Sequence, residues 1–172
     1  MVLKFTGVIV ILTSSTLLGF SLSEEFLNRI EVLKSFKKSL LFLKGEIKHN
    51  NETINVAMSK IKLKNSTIKR FYQGVITYQK ERKDSLQKAW NESVKNNLSK
   101  STKLSREELG CIEEFGGNLG ITDRETQIKN IQECMDNIQE YINFLLEEKK
   151  EKCKIYKMLG VLMGAFISII LL

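Results

Sequence analysis

Phe26-Leu27-Asn28-Arg29-Ile30-Glu31-Val32-Leu33-Lys34-Ser35-Phe36-Lys37-Lys38-Ser39-Leu40-Leu41-Phe42-Leu43-Lys44-Gly45-Glu46-Ile47 decides the fold class. Its apolar positions Phe26, Ile30, Leu33, Phe36, Leu40, Leu43 and Ile47 are separated by three or four residues throughout. That spacing draws one stripe along an amphipathic α-helix and has none of the alternation of a strand. Nothing in the chain interrupts such helices in the usual way, because none of its 172 residues is proline. An all-α protein of one domain follows.

Further along, the same periodicity recurs in shorter runs. Ile54, Ala57, Met58 and Ile61 predict a second helix. Ile68, Phe71, Tyr72, Val75 and Ile76 predict a third, with Asn65 or Ser66 as its cap. A fourth, capped by Asp84, carries Leu86, Ala89, Trp90, Val94 and Leu98, and the polar run Asn96–Lys103 reads as a loop. Ser105-Arg106-Glu107-Glu108 has the spacing of a capping box, in which serine and glutamate satisfy each other's free backbone N–H groups. The helix it opens carries Leu109, Ile112, Phe115 and Leu119 and stops at Gly120, a residue suited to a left-handed C-cap. Thr122-Asp123-Arg124-Glu125 reads as a second capping box. The sixth helix carries Ile128, Ile131, Met135, Ile138, Tyr141 or Ile142, and Leu145.

The two ends differ from this amphipathic middle. No charge occurs from Gly7 to Leu22 or from Met158 to Leu172. At ~1.5 Å per residue, a stretch of about fifteen residues reaches ~22 Å against a hydrocarbon core of ~30 Å. Lysines that snorkel, Lys4 at one end and Lys154 or Lys157 at the other, make up the difference. A cleaved signal peptide is the alternative for the first segment, given its single early lysine and Ser21-Leu22-Ser23. An apolar C-terminal segment makes two anchors the more economical reading, with a break in the first helix near Ser21–Ser23. Residues 1–23 are then an N-terminal anchor, 24–154 a helical-bundle domain and 155–172 a C-terminal anchor. Basic residues crowd the inner flanks, among them Arg29, Lys34, Lys37, Lys149, Lys150 and Lys154, whereas the outer side offers Lys4. The positive-inside rule therefore places residues 24–154 in the cytoplasm. The sequons at Asn51, Asn65, Asn91 and Asn97 carry no meaning there.

Charge divides the middle into halves. Residues 24–104 hold 18 basic and 8 acidic side chains, whereas residues 105–148 hold 3 and 11. Either the halves face one another in the bundle, or the acidic face of the last two helices, with Glu113, Glu114 and Glu125, docks a basic partner. A further alternative sets Lys60-Ile61-Lys62-Leu63-Lys64 on anionic headgroups.

Chemistry has little to stand on. Cys111, Cys134 and Cys153 are odd in number and form no CxxC pair, which fits neither a disulfide framework nor a zinc site. His49 is the one histidine and reads as a polar helix end. Phe115-Gly116-Gly117-Asn118-Leu119-Gly120 lacks the Lys-Ser/Thr of a phosphate loop and closes a helix instead of following a strand. Close packing at Gly116 and a cap at Gly120 explain its glycines. No carboxylate pair accompanies a nucleophile, and Trp90 reads as a core anchor. The net charge of +7 is carried by scattered basic residues without interleaved aromatics, which argues against nucleic acid. We expect no catalytic, cofactor-binding or metal-ligating residues, no cofactor and no enzymatic activity.

Several of these residues carry a resemblance that reaches nearly end to end. Leu40-x-x-Leu43-x-x-Glu46-Ile47, Ala89-Trp90, Leu159-Gly160-Val161-Leu162-x-Gly164 and above all Phe115-Gly116-x-x-Leu119-Gly120-x-x-Asp123-x-x-x-Gln127 are similar to the stage III sporulation protein AB family of endospore-forming bacteria. Thr53-Ile54 stands where the family is expected to have Pro-Leu, which leaves the start of the second helix open. The resemblance implies a six-helix bundle like the cytoplasmic domain of the inner-membrane platform protein of type II secretion and type IV pilus machines. It implies a non-enzymatic part of the channel between mother cell and forespore, in the mother-cell membrane around the forespore. There it would couple a secretion-type ATPase, the sporulation AA protein, to other channel subunits, with homo-oligomerisation left open. On that reading Phe115, Gly116, Leu119, Gly120, Asp123 and Gln127 are a structural motif, in which Asp123 or Thr122 caps and Gln127 bonds across to the preceding helix. The alternative is a membrane-anchored adaptor that binds lipid or a partner without a motor.

Overall fold

The computed structural model describes residues 2–50, 52–62, 64–83, 85–120 and 123–171. These residues form six α-helices and, among the described residues, no strand. They are α1 (Val2–Asn50), α2 (Ile54–Ser59), α3 (Ser66–Arg82), α4 (Leu86–Ser93), α5 (Arg106–Gly117) and α6 (Arg124–Leu171). A π-helical turn, Val94–Ser99, follows α4 directly.

Helix starts follow the capping chemistry of the sequence. The Asn65 side chain accepts from the backbone N–H groups of Thr67 and Ile68, both at 3.1 Å, which sets the first turn of α3. The capping box of α5 is complete: Ser105 Oγ accepts from Glu108 N–H at 3.2 Å, and the Glu108 carboxylate accepts from Ser105 N–H at 2.8 Å. Helix α4 is capped by Ser85, whose hydroxyl accepts from Lys88 N–H; the expected cap Asp84 lies outside the described residues. Thr53 is the N-cap of α2 and makes no side-chain cap bond, so extended backbone there does what the expected proline would do.

Four local expectations need correction. Helix α1 has no break near Ser21–Ser23. Neither proline nor glycine occurs there, and Ser23 is buried. Upstream, Thr13 and Thr16 donate to the carbonyls of Ile9 and Leu12 at 2.9 and 2.7 Å, which spares the apolar helix an unsatisfied hydroxyl. Residues 96–99 are not loop but the end of the π-helical turn. Its wider winding keeps Leu98 in line with Trp90 and Val94, and all three are fully buried. Helix α5 ends at Gly117, not at Gly120. The N–H of Asn118 turns back to Phe115 at 3.2 Å, and Gly120 then takes φ 75°, the left-handed geometry foreseen for it. At the start of α6, Thr122 lies outside the described residues, and the cap is Asp123, not a serine/threonine–glutamate box. Asp123 Oδ1 accepts from Thr126 N–H at 3.0 Å, and Thr126 Oγ1 donates to Oδ2 at 2.8 Å.

Backbone contacts divide the chain into two compact units: Arg29–Asn143, and the residues up to Asn28 together with those from Phe144. The first is the helical bundle. Trp90 is its hub, with ring centroids 6.2 Å from Phe36, 4.7 Å from Phe71, 5.9 Å from Tyr72 and 5.4 Å from Phe115, all edge-on. Leu33, Leu40, Leu43, Ile112, Ile131 and Ile138 complete the buried core around it, each contributing about 1.5–3 kcal/mol by burial. Polar atoms inside are paired. Ser39 donates to Phe36 O at 2.6 Å and lies 2.8 Å from Tyr72 Oη, and Ser93 donates to Phe71 O at 2.6 Å.

The second unit is a pair of helices, the early part of α1 against the late part of α6. They run antiparallel and approach through small residues: a Cβ on Gly160 would lie 2.7 Å from Ser15 O and 3.0 Å from Gly19 Cα. A Cβ on Gly164 would strike Ser15 Oγ. Such stripes let two backbones close on one another where no larger side chain fits. Outside the contact the pair is apolar and exposed, with Leu17 and Ile169 at 68% and 72%. Both helices are long and apolar enough to cross a membrane, and only 11% of each apolar window is buried by protein.

Candidate functional site

The motif that sequence reasoning singled out lies at the junction of α5 and α6, and its residues do two different jobs. Phe115, Gly116 and Leu119 face inward. A Cβ on Gly116 would collide with Cδ1 of Trp90, and the Trp90 indole N–H donates to Ile112 O at 2.8 Å. Glycine at 116 is thus the opening through which the indole approaches α5 and reaches a helix carbonyl one turn back. Leu119 is buried, and its carbonyl accepts from the Gln87 side chain, which ties the end of α5 to the start of α4.

Gly120, Asp123 and Gln127 instead shape the turn and its surface. Hydrogen bonds from the backbone N–H and hydroxyl of Thr126 hold the Asp123 carboxyl below its ordinary value. Gln127 is half-buried and lines, with Leu119 and Gly120, a groove of ≈ 580 Å³ closed by Thr53 and Ile54 of the α2 start and Leu86 of α4. Among the described residues Gln127 makes no side-chain hydrogen bond across to α5, contrary to the expectation.

The acidic candidates are exposed: Glu113 and Glu114 on α5, Glu125 on the first turn of α6. The structure does not gather all three in one cleft. Glu114 shares a small groove between α5 and α6 with Glu133, Asn130 and Asn137, and neither Glu113 nor Glu125 lines it. At its floor the sulfurs of Cys111 and Cys134 lie 4.0 Å apart. The thiol contact lowers the pKa of Cys111, while the same contact and burial push that of Cys134 upward.

Sequence reasoning missed a buried ion pair of the bundle. Glu108 is 1% exposed and accepts from Arg29 Nε at 2.8 Å and Nη2 at 2.8 Å, a forked pair between α1 and α5. It also closes the capping box, so one carboxylate serves a helix end and an interhelical clamp. The sequence displayed the first role through local spacing, and the second hides behind a separation of 79 residues. Elsewhere α1 meets α6 through amides: Lys37 donates to Gln139 and Lys44 to Gln132, both at 2.6 Å. Lys37 and Lys44 of α1 thus reach neutral groups of α6, and Glu113, Glu114 and Glu125 remain at the surface. Among the described residues no group of three His, Cys, Asp or Glu is placed to hold a metal ion.

A family model described as stage III sporulation protein AB matches residues 4–172. A stage III sporulation protein AB from Bacillus subtilis (strain 168) is 23% identical over 171 residues, covering 99% of each chain. A solved structure of a stage III sporulation protein AB superposes with a TM-score of 0.63 at 20% identity, over 72% of this chain and 98% of its own. At that identity the likeness speaks for the fold.

Proposed function

The chain belongs to the stage III sporulation protein AB family, and on that premise we propose that it is a non-enzymatic membrane platform coupling a cytosolic secretion-type ATPase to the sporulation channel. Membership implies a role in sporulation as a component of a sporulation complex. Two apolar helices suggest association with a membrane. The finer reading is ours: residues 1–23 and 155–172 anchor the chain in the mother-cell membrane around the forespore. Residues 24–154 face the cytoplasm, where the ATPase, the sporulation AA protein, docks.

One observation carries this reading. The bundle leaves Glu113, Glu114 and Glu125 at its surface while its own Lys44 and Lys37 reach Gln132 and Gln139. Carboxylates that the fold does not use are available to a basic partner, for which they supply orientation and on-rate more than raw affinity. Arg29–Glu108 and the Trp90 hub then make the bundle stiff enough to pass on a partner's movement.

The full chain in detergent or bilayers should bind the purified ATPase. Reversing Glu113, Glu114 and Glu125 to lysine should weaken that binding about tenfold or more and leave the helical circular dichroism and melting temperature unchanged. Unchanged binding by a folded triple variant would remove the acidic face from the account. No binding by the native chain would leave the adaptor without a motor.

A further inference from the structure

Where α1 and α6 of the paired-helix unit come out of their apolar stretches, they enclose a cleft of ≈ 580 Å³. Its walls are Ser23 and Leu27 of α1 and Leu146, Lys149, Lys150, Cys153, Lys154 and Lys157 of α6. The α6 residues fall at i, i+3, i+4, i+7, i+8 and i+11 from Leu146, so they form a single helix face. Charge on this segment is sorted. Residues 147–157 hold Glu147, Glu148 and Glu151 as well as five lysines, yet four of the lysines and none of the three carboxylates line the cleft. The fifth, Lys152, points elsewhere: it pairs with Glu148 at 3.0 Å and sits 5.9 Å from the Phe26 ring.

Four ammonium groups on one face repel one another and call for an anion from outside the unit. The rest of the cleft says what kind. Leu27 and Leu146 are 37% and 39% exposed beside the lysines, and Lys157 Nζ lies 5.1 Å from the Phe20 ring, whose helix turn leads into the apolar stretch. Positive charge above and apolar wall below is the complement of an amphiphile with an anionic head. Continuity with the apolar, exposed surfaces of both helices supplies such a molecule in place.

We propose that this cleft is a binding site for an anionic phospholipid, its phosphate held among Lys149, Lys150, Lys154 and Lys157 and its first acyl carbons against Leu27 and Leu146. The proposal rests on the membrane-spanning reading of α1 and α6 and is independent of the ATPase. It gives the lysines a task beyond orientation, namely fixing the two helices to one lipid at the membrane surface.

Cys153 lines the cleft and is a native reporter. The test uses the full chain in bilayers of phosphatidylcholine alone or with phosphatidylglycerol of the same acyl chains, and reads the rate of Cys153 maleimide modification by peptide mass spectrometry. Native mass spectrometry from detergent counts retained lipid. Phosphatidylglycerol should slow the modification and remain as a discrete adduct. The K150Q/K154Q variant should lose affinity for it about 30-fold, while a K69Q/K95Q variant, altered on the bundle, should bind like the native chain. Equal protection by both lipids, or by soluble glycerol phosphate, would overturn the proposal, as would an unchanged adduct in K150Q/K154Q. Carbonate extraction separates the premises: a chain that washes off membranes refutes the spans themselves, and one that stays embedded but shows no lipid preference refutes only the cleft.

Discussion

Gly116 shows what a single residue can fix. An indole cannot lie across a helix that carries a Cβ beneath it, so the ring, its bond to Ile112 O and the four edge-on aromatic contacts all depend on that absence. Gly116→Ala should therefore destabilise the bundle by about 1–3 kcal/mol, read by urea denaturation followed through Trp90 fluorescence. Gly117→Ala, one residue on, meets open space and should hold or raise stability by a few tenths of a kcal/mol. A gain in both, which helix propensity alone would give, would show that the indole does not govern the position. The Arg29–Glu108 fork sets a second test. Arg29→Ala strands a carboxylate that is 1% exposed and should cost about 2–3 kcal/mol, toward the low side for a buried pair because Arg29 itself is 24% exposed. A double variant with methionine at both positions should recover much of that loss.

At the scale of elements, capping decides where helices begin, and packing decides where they end. Asn65, Ser105 and Asp123 were legible because an oxygen two or three residues before a free N–H is a local feature. The helix stripes were legible for the same reason: burial repeats every three or four residues, and Ile30, Leu33, Phe36, Leu40 and Leu43 are all inside. What escaped depends on distant partners. Leu98 draws Val94–Ser99 into a π-helical turn because the core needs it, although Asn96 and Asn97 look like loop. Helix α5 stops at Gly117 because Leu119 turns inward and hands its carbonyl to Gln87. The candidate site divided along the same line: the glycines and the Asp123 cap could be foreseen, Glu108 as a clamp could not. Asp123 also yields a pH prediction. Its folded value is depressed by Thr126, so its contribution is complete above the unfolded carboxyl value of about 3.9. It fades as pH falls through the lower folded value. Asp123→Ala should lower the melting temperature at pH 7 and make no difference once the native cap is protonated. A constant difference down to the acid limit would assign the loss to something other than the charge.

The whole molecule joins a bundle with a buried aromatic core to a pair of apolar helices in contact through glycines and serine. Each half follows from its own solvent. In the bundle, the buried polar groups are paired, Glu108 with Arg29 among them, and Glu113, Glu114 and Glu125 lie outside. In the helix pair, hydroxyls turn back onto the backbone and large apolar side chains face outward, which suits association with a membrane. The sporulation family fits both halves, and the proposed coupling stands or falls on which side of the membrane the bundle occupies. The most direct test labels intact cells expressing the full chain with a membrane-impermeant maleimide, then repeats the labelling after permeabilisation and after denaturation, with each cysteine read by peptide mass spectrometry. Cys153, half-buried beside the last apolar stretch, should react only once the membrane is opened, and buried Cys134 only after unfolding. Modification of Cys153 in intact cells would place the bundle outside, beyond reach of any cytosolic ATPase, and contradict the account.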